Sequence, residues 1–262
     1  MRNELKRRLA AGERLYGAWL SLASPAVAEL LGCAGYDFLI VDNEHGAATL
    51  AHTADLLRAA AAAGCPVIVR VPWNDQVYLK RVLDLGAQSL MVPLVESAEE
   101  AAAAVAACRY PPAGRRGYAA PAMRCSRYGF AADYLARANA ELLLIAQIES
   151  AAAADRAEAI AAVDGIDLVL IGVNDLAGSI GLLERLERPE VAALVARAEA
   201  GVRRAGKPLG TVPSAAAATA ALFARGYQLV AGAGDVPLLR EAARADLAAV
   251  RAALAGDRPS AG

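Results

Sequence analysis

The chain has 262 residues, of which 57% are hydrophobic and 21% charged, and its formal net charge is -1. Such a balance lacks the basic excess of a nucleic-acid binder or a membrane-surface protein, and no apolar run reaches the ~20 residues needed to cross a bilayer. The opening MRNELKRRLA has no apolar signal-peptide core, so the expectation is one cytoplasmic enzyme domain over 1–262, with neither nucleic acid nor membrane as partner.

Taken in order, YGAWLSL (16–22) reads as a strand, and Ser24-Pro25 caps a helix over 25–33. YDFLIVDNEHG is a strand ending in Asp42, Glu44 and His45, and a helix over 50–63 leads to PVIVRVP with Arg70 near its end. After a helix over 77–85, SLMVPLVE ends in Glu96; a helix over 98–108 then opens into the longest irregular stretch, 109–132. ELLLIAQIES, a helix over 151–162 and DGIDLVLIGVND form a strand–helix–strand unit, whose two strands lie parallel. A helix over 190–205, PLGTV, a helix over 214–225, YQLVAGAG and a helix from Val236 complete the chain.

Eight apolar runs alternating with helices in about the ~250 residues of a (β/α)8 barrel predict that fold, an α/β TIM barrel in a single domain. A doubly wound open sheet is less well matched, because it calls for a glycine turn after the first strand, where this chain has SLASP. Barrel chemistry sits at the C-terminal strand ends. Asp42, Glu44, His45, Arg70, Glu96, Gln147, Glu149, Asn174 and Asp175 all fall there, while the opposite ends are bland.

The three lysines, Lys6, Lys80 and Lys207, are all misplaced for a Schiff base. Glu149 and Asp175, on adjacent strands, are instead a candidate pair of ligands for Mg²⁺ or Mn²⁺, which favour oxygen donors and keep positions open for water and substrate. With two histidines in the chain and no cysteine pair at the rim, zinc is disfavoured. Either carboxylate could equally be a solvated strand-end acid or a helix cap. His45 is a candidate general base, because imidazole titrates near neutrality. Arg70 is a candidate cation for a substrate carboxylate or oxyanion, with an ion pair to Glu44 as the plainer reading. Cys33, Cys65, Cys108 and Cys125 show no Cys-x-x-Cys spacing and read as unpaired thiols. The five arginines between Arg109 and Arg127 mark a lid, an anion-binding edge, a solvated segment or a subunit contact, and the glycines of VAGAGD are a weak phosphate signal.

Taken together, VDNEHG, VIVRVPWND, LDLGAQSLMVPLVESAEEA, CRYPPAGRRG, IAQIES and DGIDLVLIGVNDLAGSIG resemble the HpcH/HpaI family, the metal-dependent pyruvate aldolases that include 4-hydroxy-2-oxo-heptanedioate and keto-deoxy-sugar-acid aldolases. The resemblance runs in order over nearly the whole chain. It implies Glu149 and Asp175 as metal ligands, His45 as base, Arg70 as the cation that stabilises an enolate and Gln147 as a substrate-binding residue. Asn174, Asp175 and the backbone about Gly172 match the pocket for the oxo acid. It also implies that Asp84 supports the basicity of a histidine; because Asp84 falls late in a helix, towards the bottom of its own barrel, that histidine would belong to another subunit of a homohexamer, a trimer of dimers. The implied reaction is reversible cleavage of a 4-hydroxy-2-oxo acid to pyruvate, or a related 2-oxo acid such as hydroxypyruvate, and an aldehyde, through a metal-stabilised enolate. A 2-oxo-acid decarboxylase, a coenzyme A thioester lyase and a non-catalytic binding barrel are the alternatives. Two segments depart from the family's commoner pattern: Val173 replaces a frequent proline, and TVPS follows the seventh strand.

Overall fold

A computed structural model describes residues 2–213 and 215–256. The eight apolar runs become β1 (Leu15–Leu20), β2 (Phe38–Asp42), β3 (Val67–Arg70), β4 (Ser89–Val92), β5 (Leu143–Ile148), β6 (Leu168–Ile171), β7 (Leu209–Thr211) and β8 (Tyr227–Gly234). Each pairs in parallel with the next and β8 pairs with β1, so the sheet closes on itself. The fold is a (β/α)8 barrel.

Side chains alternate across each strand. Phe38, Ile40, Ile68, Met91, Ile145, Leu168 and Leu170 fill the barrel, while Leu39, Val41, Val69, Leu90, Leu144 and Val169 meet the surrounding helices. The described helices are α1 (Glu4–Ala10), α2 (Pro25–Cys33), α3 (Leu50–Ala62), α4 (Gln76–Asp84), α5 (Ala98–Cys108), α6 (Tyr134–Glu141), α7 (Ala151–Asp155), α8 (Ala157–Ala162), α9 (Val173–Gly178), α10 (Pro189–Arg204), α11 (Thr219–Ala224) and α12 (Asp235–Gly256). Several begin on a side-chain cap: Ser24, Thr49, Asp75, Ser97 and Ser150 each accept the N–H three residues on.

Five segments differ from the sequence expectation. Helix α1, capped by Asn3, turns Leu5 and Leu9 into the barrel interior and plugs its N-terminal end. Helix α6 occupies part of the chain between α5 and β5, and α9 follows β6 at once. The helix expected over 151–162 is broken at Arg156, whose N–H turns back to Ala153 O and whose guanidinium reaches Glu96 O. The helix expected over 214–225 is a 3-10 turn at Ala216–Ala218 followed by the six residues of α11; Ser214 lies outside the described residues.

The seam between first and last strands is stapled at the mouth. Asp235 accepts the backbone N–H groups of Ser21 and Leu22 at 2.8–3.0 Å, so a carboxylate at the head of α12 ties down the end of β1. Beyond that point α12 stands away from the barrel, with Leu239, Leu247, Val250 and Leu254 all more than half exposed along one stripe. Among the described residues no helix is long and apolar enough to cross a membrane.

Candidate active site

The register of β2 against β3 sets Asp42 beside Arg70. Arg70 donates Nε to Asp42 Oδ1 at 2.9 Å and Nη2 to Asp42 Oδ2 at 2.8 Å, a two-pronged pair that fixes the guanidinium plane. Its Nη1 stands 2.9 Å from Glu44 Oε2, within ion-pair distance but off hydrogen-bond alignment. Trp19 covers the guanidinium, 4.5 Å from the ring centre, and is itself anchored through its indole N–H on Ala231 O. The expected Arg70–Glu44 pair is therefore present, and Asp42 is the stronger partner.

Asp42 Oδ1 also accepts the N–H groups of Glu44 and His45, which shapes the turn leaving β2. That turn carries His45 to the rim, where its side chain is 68% exposed and Nε2 lies 3.9 Å from Glu44 Oε1. Burial raises the Glu44 carboxyl above its ordinary value, against the pull of Arg70 and His45.

Across the mouth, Glu149 follows directly on β5 and is buried. Its Oε2 accepts the N–H of Leu94, which sits in the left-handed region at φ 50°, and its Oε1 accepts Gln147 Nε2 at 2.9 Å. Burial pushes the Glu149 carboxyl up to about 7, with the Glu44 and Asp175 carboxylates adding to the rise and the Leu94 N–H and Arg70 opposing it. Among the described residues Gln147 Oε1 has no partner, so a buried acceptor is left for a donor in the cavity. Gly172 borders Glu149 closely, and its own N–H is engaged by Ile148 O; what it contributes is space rather than a donor. Asn174 and Asp175, expected at a strand end, lie instead in the first turn of α9, exposed to the mouth.

His45, Arg70, Gln147, Glu149, Gly172, Asn174 and Asp175 line one cavity of about 680 Å³. Among the described residues there is no cluster of three or more histidine, cysteine or acidic ligands. The oxygen donors available to a cation here are the carboxylates of Glu149 and Asp175, with Glu44 near enough to help raise the Glu149 carboxyl. Such an excess of hard, negative oxygen suits a divalent cation of the Mg²⁺ or Mn²⁺ kind and does not suit zinc.

Asp84 is not part of this cavity. It ends α4, and a helix that follows a barrel strand ends at the opposite face. There it accepts Arg116 Nη2 at 2.8 Å, with Arg116 buried over the ring of Tyr110. The loop with Arg109, Arg116 and Arg124 lies on that same far face, engaging Asp164, Asp84 and Leu85 O respectively, so it is not a lid on this chain's own mouth. Lys6 and Lys207 are there too, on Leu142 O and Ile166 O. Glu96 accepts Ser150 Oγ beside the cavity rather than lining it. The glycines of VAGAGD belong to β8: a Cβ on Gly232 would stand 2.8 Å from Pro213 and Tyr16, and the Asp235 carboxylate follows, which disfavours phosphate. The four cysteines are unpaired.

Sequence reasoning missed Trp19, Leu94 and the fork from Asp42. A tryptophan near the end of β1 was a usable signal for the first; the other two depend on register and backbone angles that single residues do not announce.

The match to known proteins covers the same elements. The HpcH/HpaI aldolase/citrate lyase family model matches residues 15–242, from β1 into α12. A 4-hydroxy-2-oxovalerate aldolase of Novosphingobium aromaticivorans is 49% identical over 209 residues, 79% of each chain. A hydroxypyruvate/pyruvate aldolase of Sagittula stellata is 41% identical over 244 residues, 93% of this chain and 96% of that one. The crystal structure of an HpcH/HpaI aldolase/citrate lyase family protein from Burkholderia cenocepacia superposes with a TM-score of 0.91 at 41% identity, covering 95% of this chain and 99% of that chain. With barrel, strand-end residues and family model in agreement over most of its length, the chain belongs to the HpcH/HpaI aldolase/citrate lyase family.

Proposed function

We propose that the barrel mouth is the active site of an aldehyde-lyase that reversibly cleaves 4-hydroxy-2-oxo acids to pyruvate, or a related 2-oxo acid such as hydroxypyruvate, and an aldehyde. One observation carries the reading: a buried carboxylate, Glu149, is held by the Leu94 N–H and Gln147, and it shares one cavity with Asp175, the forked Arg70 and the rim imidazole of His45. Relatives named as 2-oxo-acid aldolases support it.

Glu149 and Asp175 would hold a divalent cation, Mg²⁺ or Mn²⁺. When bound, it supplies a Lewis acid that draws electrons through the 2-oxo group. His45 takes the proton of the 4-hydroxyl; the C3–C4 bond breaks, the aldehyde leaves, and the electron pair passes towards the 2-oxo oxygen. Arg70, immobilised by Asp42 and Trp19, sets fixed positive charge beside that development. Gln147 Oε1 is placed to accept a hydrogen bond from a hydroxyl of the bound substrate. Trp19 shields one side of the site from water.

We also read the protein as a homo-oligomer, a hexamer by resemblance. The exposed apolar stripe of α12 supports association, and Asp84, on the far face of its own barrel, can serve a histidine only across a subunit boundary. The test of the activity is deuterium exchange into the methyl group of pyruvate, with Mg²⁺ or Mn²⁺ and again after chelation. Exchange that requires the cation is expected; its absence under both conditions overturns the reading.

A further inference from the structure

The cavity is larger than a three-carbon oxo acid and a small aldehyde require, and lies in the size range of pockets that bury drug-sized ligands. From the mouth it passes Val173, Val212 and Pro213 over the end of β7, then runs down the outside of that strand between α10 and α11. The arm exists because α11 is short: none of its six residues is fully buried, and the alanines of the turn before it, Ala216–Ala218, fill little space. Leu186, Val191 and Val195 form one wall, and Leu222 the other.

Among the described residues, the two hydroxyls along the arm are already engaged. Thr211 Oγ1 donates to Ile171 O at 3.0 Å, and the Tyr227 hydroxyl donates to Glu199 at 2.7 Å. Arg225, which closes the far end, is drawn to the same Glu199 carboxylate. A hydroxyl or carboxylate entering the arm would lose water and find little in return, whereas methylene groups would gain.

We propose, building on the aldolase reading, that this arm is the acceptor subsite and that the enzyme selects aldehydes with an uncharged, apolar chain of several carbons. Each methylene buried is worth about fourfold in kcat/KM.

The test is aldol addition of pyruvate with Mn²⁺ to three aldehydes: acetaldehyde, hexanal and 6-oxohexanoate, the last matching hexanal in carbon number but ending in a carboxylate. Hexanal is expected to exceed each of the others in kcat/KM by at least tenfold. Val195→Trp, which fills the arm, lowers the hexanal-to-acetaldehyde ratio at least tenfold. Leu222→Lys, at a half-buried position tolerant of a long side chain, shifts preference from hexanal towards 6-oxohexanoate. Equal or better use of 6-oxohexanoate by the unaltered enzyme shows that Arg225 reads the acid, and overturns the proposal. So do ratios that neither variant moves. Cation-dependent exchange of pyruvate protons with a flat aldehyde profile overturns the acceptor inference alone; no exchange at all removes the aldolase reading and this inference with it.

Discussion

Gly172 and Glu149 meet so closely that a side chain at residue 172 would displace the glutamate: a Cβ there would stand 2.6 Å from Oε1 and 2.8 Å from Cγ of the glutamate. The backbone angles at Gly172, φ -87° and ψ 89°, do not themselves demand glycine. Gly172→Ala is therefore expected to fold and to push the Glu149 carboxylate out of place. Calorimetric titration with Mn²⁺ should register at least a tenfold loss of affinity, in the range of disrupted metal-site supports.

The Glu149 carboxyl, pushed from 4.5 to about 7, gives a pH signature with a defined sign. Between those values the unfolded chain has released the proton that the folded cation-free protein still binds, so stability falls as pH rises through the window. The full shift corresponds to about 3 kcal/mol. Thermal melts of the cation-free protein at pH 5 and pH 8 should show that decline, and Glu149→Gln should flatten most of it. Glu44, raised in the same direction, leaves a smaller slope of the same sign.

Asp42 holds both prongs of Arg70 in a buried pair. Removing one partner of such a pair costs about 3–5 kcal/mol, because the other charge stays buried. Asp42→Ala should cost somewhat less than that range in urea unfolding, since Glu44 remains to share the guanidinium, and should lower turnover by about tenfold or more through misplacement of Arg70. Unchanged turnover would show that Glu44 alone suffices to position it.

His45 is mostly exposed and packs little. His45→Ala should leave the melting temperature within experimental error, leave the KM for the oxo acid near its original value, and reduce kcat about 10²–10⁴-fold. Comparable losses in both constants would assign the imidazole to binding.

Asp84 and His45 occupy opposite faces of one barrel. If they act together between subunits, Asp84→Asn and His45→Ala proteins, each impaired alone, should regain part of their activity when unfolded and reassembled as a mixture. The asparagine retains an acceptor for Arg116, which limits the structural damage. No recovery in verified mixed oligomers would confine Asp84 to anchoring Arg116.

The barrel was legible because long alternating runs and capping residues report local preference over many residues at once, as in α5 and β8, whose bounds match the expectation. Shorter segments gave less. Helix α9 has six residues, too few for a period to show, so Asn174 and Asp175 looked like strand-end residues. Helix α1 did carry a signal, an Asn3 cap with Leu5 and Leu9 one turn apart. The rim acids were visible, yet which of Asp42 and Glu44 grips Arg70 depends on the pairing of β2 with β3. The arm between α10 and α11 is a gap, and no residue pattern encodes the absence of packing.

The Asp235 carboxylate that binds the N–H groups of Ser21 and Leu22 has a consequence for how the molecule comes to exist. During synthesis β1 emerges first, but its second neighbour, β8, and the acid that ties its end down emerge more than two hundred residues later. The earliest strand must wait with one edge unpaired until nearly all the chain has left the ribosome, and such distant pairing is slow to form. Closure of the ring is thus a late event in the life of each molecule, and it is completed by a single carboxylate.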